Sequence, residues 1–262
     1  MREEVSVVEE LSEPKFDAAT CYAGLEQQAK QYEERRRYAE ATPVRDQMLL
    51  LFRKLYPNDL LGIALHTQWL GGLYEVQRLH AAAEALYCQG IEIQRRVLLE
   101  NDEALLDSLN NLARLYRGER RYEEAETLYR EVMETRRRQT PDNFAALAGS
   151  INEVGWMCEV QGRNPEAVTL FREALELRRQ IVPQDATLII RSLSHLAYHF
   201  AYYEGDYDAT QHYEEVYQFA VQTLGEGDPE TQLAKSNCQY YRNYLENGDD
   251  AEIDHPNDCG DA

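Results

Sequence analysis

His195 and His199 stand four residues apart, the spacing at which two imidazoles on one helix face can share a metal ion. The glutamate of an HExxH pair is missing and the only third ligand in view is His212, so the pair is not read as a metal site and no cofactor is expected. Glu123, Glu124 and Glu126 form an acidic cluster, but at the start of a helix, where carboxylates complement the dipole and need no catalytic role. A phosphate-cradling glycine loop, a GxSxG elbow, a paired-carboxylate pocket and EF-hand spacing are all lacking, so catalysis is not expected. What remains is recognition chemistry. Asn110 and Asn152 could hydrogen-bond the main chain of an extended peptide, and Gln68 and Ser194 hold the equivalent positions. Arg114, Arg117 and Arg191 could pair with carboxylates, and Trp156 and Tyr198 offer rigid apolar area, with Tyr202 on the same stripe. These residues leave a second reading open, in which Trp156 packs inside the fold and the arginines are paired internally.

The elements that position them repeat. Ala41, Ala83, Ala125, Ala167 and Ala209 each lie 42 residues after the last, and the segments around them align without a gap. A small residue keeps the same step at Ala29, Gly71, Ala113, Gly155 and Ala197. A larger one follows at Tyr32, Tyr74, Tyr116, Cys158 and Phe200. Small residues let two helix backbones approach while the larger ones fill the space beside them. Apolar residues at i, i+3 and i+4 mark two helices per unit, broken at Gly118 to Arg121 and at Gln161 to Asn164. Asp59, Asn101, Asn143 and Asp185 form a column of N-cap residues, with Pro57, Pro141 and Pro183 two positions earlier. Arg53, Arg95, Arg137 and Arg179 form a further column, read as a solvated or salt-bridged face. Helix pairs of this kind cannot bury an apolar face alone, so they stack into a solenoid. The expected units are about 16–58, 59–100, 101–142, 143–184 and 185–226, with a capping helix over 228–247.

The pattern of small residue, tyrosine, YxEA and aromatic, as in SLNNLARLYRGERRYEEAETLYREVMETRR with the ending LGEGDPETQLAKSN, resembles the tetratricopeptide repeat. It is similar to the 42-residue variant found in kinesin light chains and many bacterial repeat proteins. The resemblance runs from about Phe16 to Gly248, and it implies an all-α, right-handed α-solenoid. The first and fifth copies depart most, with Pro43 just inside a second helix and His212 where leucine is usual. In that family the first-helix stripe lines a concave groove that takes peptides. The resemblance therefore implies a groove built from Gln68, Asn110, Arg114, Arg117, Asn152, Trp156, Arg191, Ser194, Tyr198 and Tyr202, and a protein or extended peptide as partner. A non-catalytic interaction module or adaptor is expected. The alternative is a regulatory or peptide-sensing repeat domain that controls a separate enzyme.

Composition bounds the partners. With 47 acidic against 27 basic side chains the formal net charge is −20, which repels phosphate backbones and anionic membrane surfaces, so neither nucleic acid nor membrane insertion is expected. Residues 1–15 form an acidic N-terminal segment with five glutamates, where a signal peptide needs an apolar run. Five cysteines are scattered singly with no CxxC pair, as befits reduced thiols in a cytoplasm. Residues 249–262 carry six acidic side chains and no basic one. They are expected to be disordered, either as a solubilising tail or as an internal ligand for the groove arginines.

Overall fold

One backbone device ends the first helix of four repeats. Arg36, Arg78, Arg120 and Gly162 fall at the 42-residue step and take positive φ of 54°, 62°, 62° and 75°. The following residue donates its N–H five residues back, Arg37 to Tyr32, Leu79 to Tyr74, Arg121 to Tyr116 and Arg163 to Cys158, at 2.8–2.9 Å. This left-handed closure satisfies helix-end carbonyls. The second helix of each pair then starts within two residues.

The computed structural model describes the backbone of residues 18–139, 143–180, 186–203 and 209–247. Within those spans it leaves aside the side chains of Ala18, Ala19, Leu188, Arg191, His195, 199–203, Ala209 and 244–247. The expected acidic segment over 1–15, the tail over 249–262, Asp185 and the prolines at 141 and 183 lie outside the described residues. Among the described residues the fold is all-α, a helical-repeat solenoid type with eleven helices and no strand. First helices are α1 (Ala18–Glu34), α3 (Leu60–Val76), α5 (Glu103–Gly118), α7 (Phe144–Val160) and α9 (Ala186–Tyr203). Second helices are α2 (Tyr38–Leu55), α4 (His80–Val97), α6 (Tyr122–Gln139), α8 (Asn164–Arg179) and α10 (Ala209–Leu224), and α11 (Pro229–Asn247) follows. Pro43 sits inside α2.

The caps follow the sequence with one shift. Asp59 accepts from Gly62 N at 2.8 Å and Asn143 from Ala146 N at 3.2 Å. In the third repeat Asp102, not Asn101, accepts from Ala104 N at 2.9 Å. The helix begins at Glu103, so the N-cap position falls on Asp102 and not on Asn101.

The helices fall into two compact units that divide between Arg121 and Tyr122. In unit 1, α1 to α5, Ala29 packs with Val44 and Met48, and Leu49 with Ile63 and Leu70. In unit 2, α6 to α11, Ile190, Ala197, Tyr213, Val216 and Tyr241 share a core, with the Tyr213 and Tyr241 rings stacked at 4.4 Å. In two pairs the small residue of the first helix meets an aromatic ring of the second. A Cβ on Gly71 would lie 2.9 Å from the Tyr87 ring, and one on Gly155 2.7 Å from Phe171, so glycine there is required by close approach rather than by a turn.

Candidate functional site

Before a side chain can serve a partner it must not be holding the fold, and two columns of polar residues on the second helices are so engaged. At the first, Thr42 accepts from Gln77 at 2.6 Å, Glu84 pairs with Arg121 at 2.7 Å, and Glu126 pairs with Arg163 and accepts from Gln161 at 2.8 Å. Each bond joins a second helix to the inner turn of the following repeat. The column ends at Val168, which can accept nothing. At the second, Gln94 donates to the Ala104 carbonyl at 3.2 Å, Arg136 to Ser150 at 2.8 Å, and Arg178 to Ser192. The column at Arg53 lies one residue from this one and faces outward: Arg137 meets Glu173 at 2.7 Å, and Arg179 meets Glu176 at 3.2 Å.

The first-helix stripe is less uniform than its register implies. Gln68 is turned inward. It is 9% exposed and donates to the Tyr87 carbonyl at 3.2 Å, because Gly90 leaves no side chain in its way. Asn152 is held too. With its amide oriented by the hydrogen-bond network, its oxygen accepts from the Arg178 guanidinium at 2.6 and 3.2 Å, which helps to satisfy a buried charge. Ser194 donates to the Ile190 carbonyl at 2.9 Å and Tyr198 is buried at 4% exposure. Trp156 is half-buried. Arg191 and Tyr202 lie on α9, their side chains outside the described residues, as are those of His195 and His199.

In unit 1 the stripe is more open. Asn110 and Arg117 are half-buried, and Arg114 is 53% exposed while reaching Glu75 at 3.3 Å. Glu75 also accepts from the Tyr87 hydroxyl at 2.7 Å. Burial and this carboxylate push the Tyr87 phenol well up. Missed in the sequence was α3 itself, where Leu61, Leu65, Trp69 and Val76 stand exposed. The signal was present, since α3 is apolar on both its stripes, but a helix apolar all round is ordinarily taken for a buried one.

One column carries a titratable group of altered character. Glu33 pairs with Arg45 at 2.7 Å and Glu75 with Tyr87; the same step places Glu159 in the fourth repeat, with Phe171 at the position held by Arg45 and Tyr87. Burial pushes the Glu159 carboxyl up to about 7. Among the described residues no group of histidine, cysteine, aspartate and glutamate could hold a metal ion, and no helix is long and apolar enough to cross a membrane.

Helix pairs at a 42-residue step with this turn and packing are found in known families. Residues 60–138 and 147–185 match two family models, both described as the tetratricopeptide repeat. The chain carries tetratricopeptide repeats. Solved structures resemble the chain at low identity. A Podospora anserina putative kinesin light chain with nearly identical repeats shares 19% identity over 77% of this chain and 95% of its own, at a TM-score of 0.66. BtubC (BKLC) from P. vanneervenii shares 17% over 88% and 83%, at 0.61. Aspartyl phosphate phosphatase F from Bacillus subtilis shares 12% over 88% and 57%, at 0.68. These likenesses show the fold. No curated protein matches the sequence.

Proposed function

We propose that the chain is a non-catalytic interaction module that holds a protein segment or extended peptide against its first-helix faces. The observation that carries this reading is where side chains are left over. Two columns of second-helix polar residues are spent on joining repeats. Five of the twelve large hydrophobic residues exposed among the described ones, Leu60, Leu61, Leu65, Trp69 and Val76, lie on α3, next to the amide and guanidinium groups of α5. Apolar area with a few polar groups beside it is the composition of a docking surface. The tetratricopeptide family generally mediates protein association, which supports the reading. The groove residues proposed are Asn110, Arg114 and Arg117 in unit 1 and, separately, Trp156, Arg191 and Tyr202 in unit 2, with the buried Tyr198 and the carbonyl-bonded Ser194 as supports in unit 2. Gln68 and Asn152 act as supports too. Likeness to a phosphatase of this repeat fold favours a second reading, a peptide-sensing domain that controls a separate enzyme.

The test is capture of partners from the native host by the full chain and by an Asn110→Ala/Arg114→Ala variant of equal helicity. Loss of the captured proteins in the variant is expected, and a signalling enzyme among them would select the second reading. An unchanged set of captured proteins would overturn the site.

A further inference from the structure

Helix α3 presents a face that its own fold does not use. It buries Ile63, Ala64, Thr67, Gln68, Leu70, Gly71 and Leu73, yet Leu61, Leu65, Trp69 and Val76 are 38%, 51%, 48% and 56% exposed. With Gly72 they fall at steps of four, four, three and four, a stripe about 22 Å long at ~1.5 Å per residue. In the third repeat the same positions hold Glu103, Asp107, Asn111, Arg114 and Gly118, so the stripe is no requirement of the repeat. Trp69 is also fixed in place. The Arg45 guanidinium lies 3.9 Å from its ring centroid and is itself 3% exposed and paired with Glu33, so the indole stands outward with little freedom left to lose on binding.

Charge and shape say what fits. Tyr22 Oη meets His66 Nε2 at 2.7 Å and Arg114 meets Glu75 at 3.3 Å, so α1 and α5 flank α3. Along α1, Ala23, Gln27, Lys30 and Glu34, in register with Leu65, Trp69, Gly72 and Val76, line a recess of ≈ 420 Å³. A Cβ on Gly72 would meet only the Tyr87 hydroxyl, at 3.5 Å, which leaves a notch in the stripe. The residues in register with it on either side are Lys30 and Arg114, 54% and 53% exposed. Each has an acidic neighbour, Glu26 and the half-buried Glu75, but both cations are themselves exposed, and pairs of that kind hold weakly. We propose that this face takes an amphipathic helix of a partner protein, laid along α3 with apolar side chains on Leu65, Trp69 and Val76 and one carboxylate over Gly72 between Lys30 and Arg114. Steps of four and three average close to the period at which two helices stay in contact along their length, whereas an extended chain crossing the helices would meet the stripe only once. This inference rests on the docking reading above and adds what docks.

The probe is a fluorescein-labelled, alanine-based helical peptide with leucines at those steps and one glutamate in the stripe, titrated into the full chain and followed by anisotropy. Binding is expected, weakened at least tenfold by Leu65→Asp, by Gly72→Leu and by replacing the peptide glutamate with lysine. Leu65 is outside the core, so an unchanged melting curve shows that L65D is folded. Equal binding of a scrambled peptide, or of L65D, overturns the proposal. So does a dimer that L65D dissociates, which assigns the face to a second copy. Binding seen only after deletion of residues 2–17 assigns it to the chain's own N-terminal segment and overturns it too. If the peptide fails while N110A/R114A still abolishes partner capture, the docking reading stands and only the helix is wrong.

Discussion

Glu159 shows how one residue of a repeat can differ from its equivalents through a change made elsewhere. Its carboxyl is buried, and the position that holds Arg45 opposite Glu33 and Tyr87 opposite Glu75 is Phe171 in this repeat. A raised folded-state value means that the folded chain binds this proton more tightly than the unfolded one. Stability is therefore lost as pH rises from an ordinary 4.5 towards about 7, and the penalty is constant above that. Glu159→Gln should raise the stability of unit 2 by about 2–3 kcal/mol at pH 8 and by little at pH 4.5, read from denaturant midpoints at the two values. Equal gains at both would remove the titration from the explanation. Arg120 makes a second prediction at this scale. Its left-handed φ of 62° costs an L side chain about 1 kcal/mol that glycine does not pay, so Arg120→Gly should stabilise unit 1 by ~0.5–1 kcal/mol in the same measurement. Gly162, in register with the three arginines, was the legible sign of this conformation. The inward turn of Gln68 and the pinning of Asn152 by Arg178 were not legible, because register fixes which face of a helix a residue occupies and not which bond its amide makes.

At the scale of the element, what joins one helix pair to the next is polar as well as apolar. Glu126 meets Arg163, Arg130 and Gln161 at once. Burial alone would raise its carboxyl, but hydrogen bonds from Arg163, Arg130 and Gln161 outweigh it and hold the group down at about 2. The sign is opposite to that of Glu159. The contribution is complete above an ordinary 4.5 and disappears as pH falls towards about 2. Glu126→Ala should cost unit 2 about 1–2 kcal/mol at neutral pH, discounted because Arg130 and Arg163 stay 36% and 38% exposed. At pH 2.5 the difference should have shrunk to roughly a quarter of its neutral value. Urea unfolding followed by circular dichroism at both pH values checks it. The spacing of these clamps was in the sequence, at Glu84 with Arg121 and Glu126 with Arg163. It went unread because an acidic helix start has a sufficient local explanation in the dipole. The cap at Asp102 was missed for a similar reason: a strict 42-residue step favours Asn101, and only local geometry chooses between adjacent candidates.

For the molecule as a whole, the 42-residue step made the all-α repeat fold legible, since Ala41, Ala83, Ala125 and Ala167 and the small residues Ala29, Ala113 and Ala197 occupy the core positions that their spacing predicts. The division between Arg121 and Tyr122 was not legible, because the repeat register runs through it unbroken. The apolar face of α3 was present in the sequence as content rather than register, and went unread because a helix apolar all round is ordinarily taken for a buried one. The central claim is that first-helix faces bind and second helices build. Hydrogen–deuterium exchange of the full chain, alone and with the partner it captures from its host, tests this most directly. The account predicts added protection on first helices, led by α3 and α5, with α2, α4, α6 and α8 unchanged. Protection confined to those second helices would contradict it.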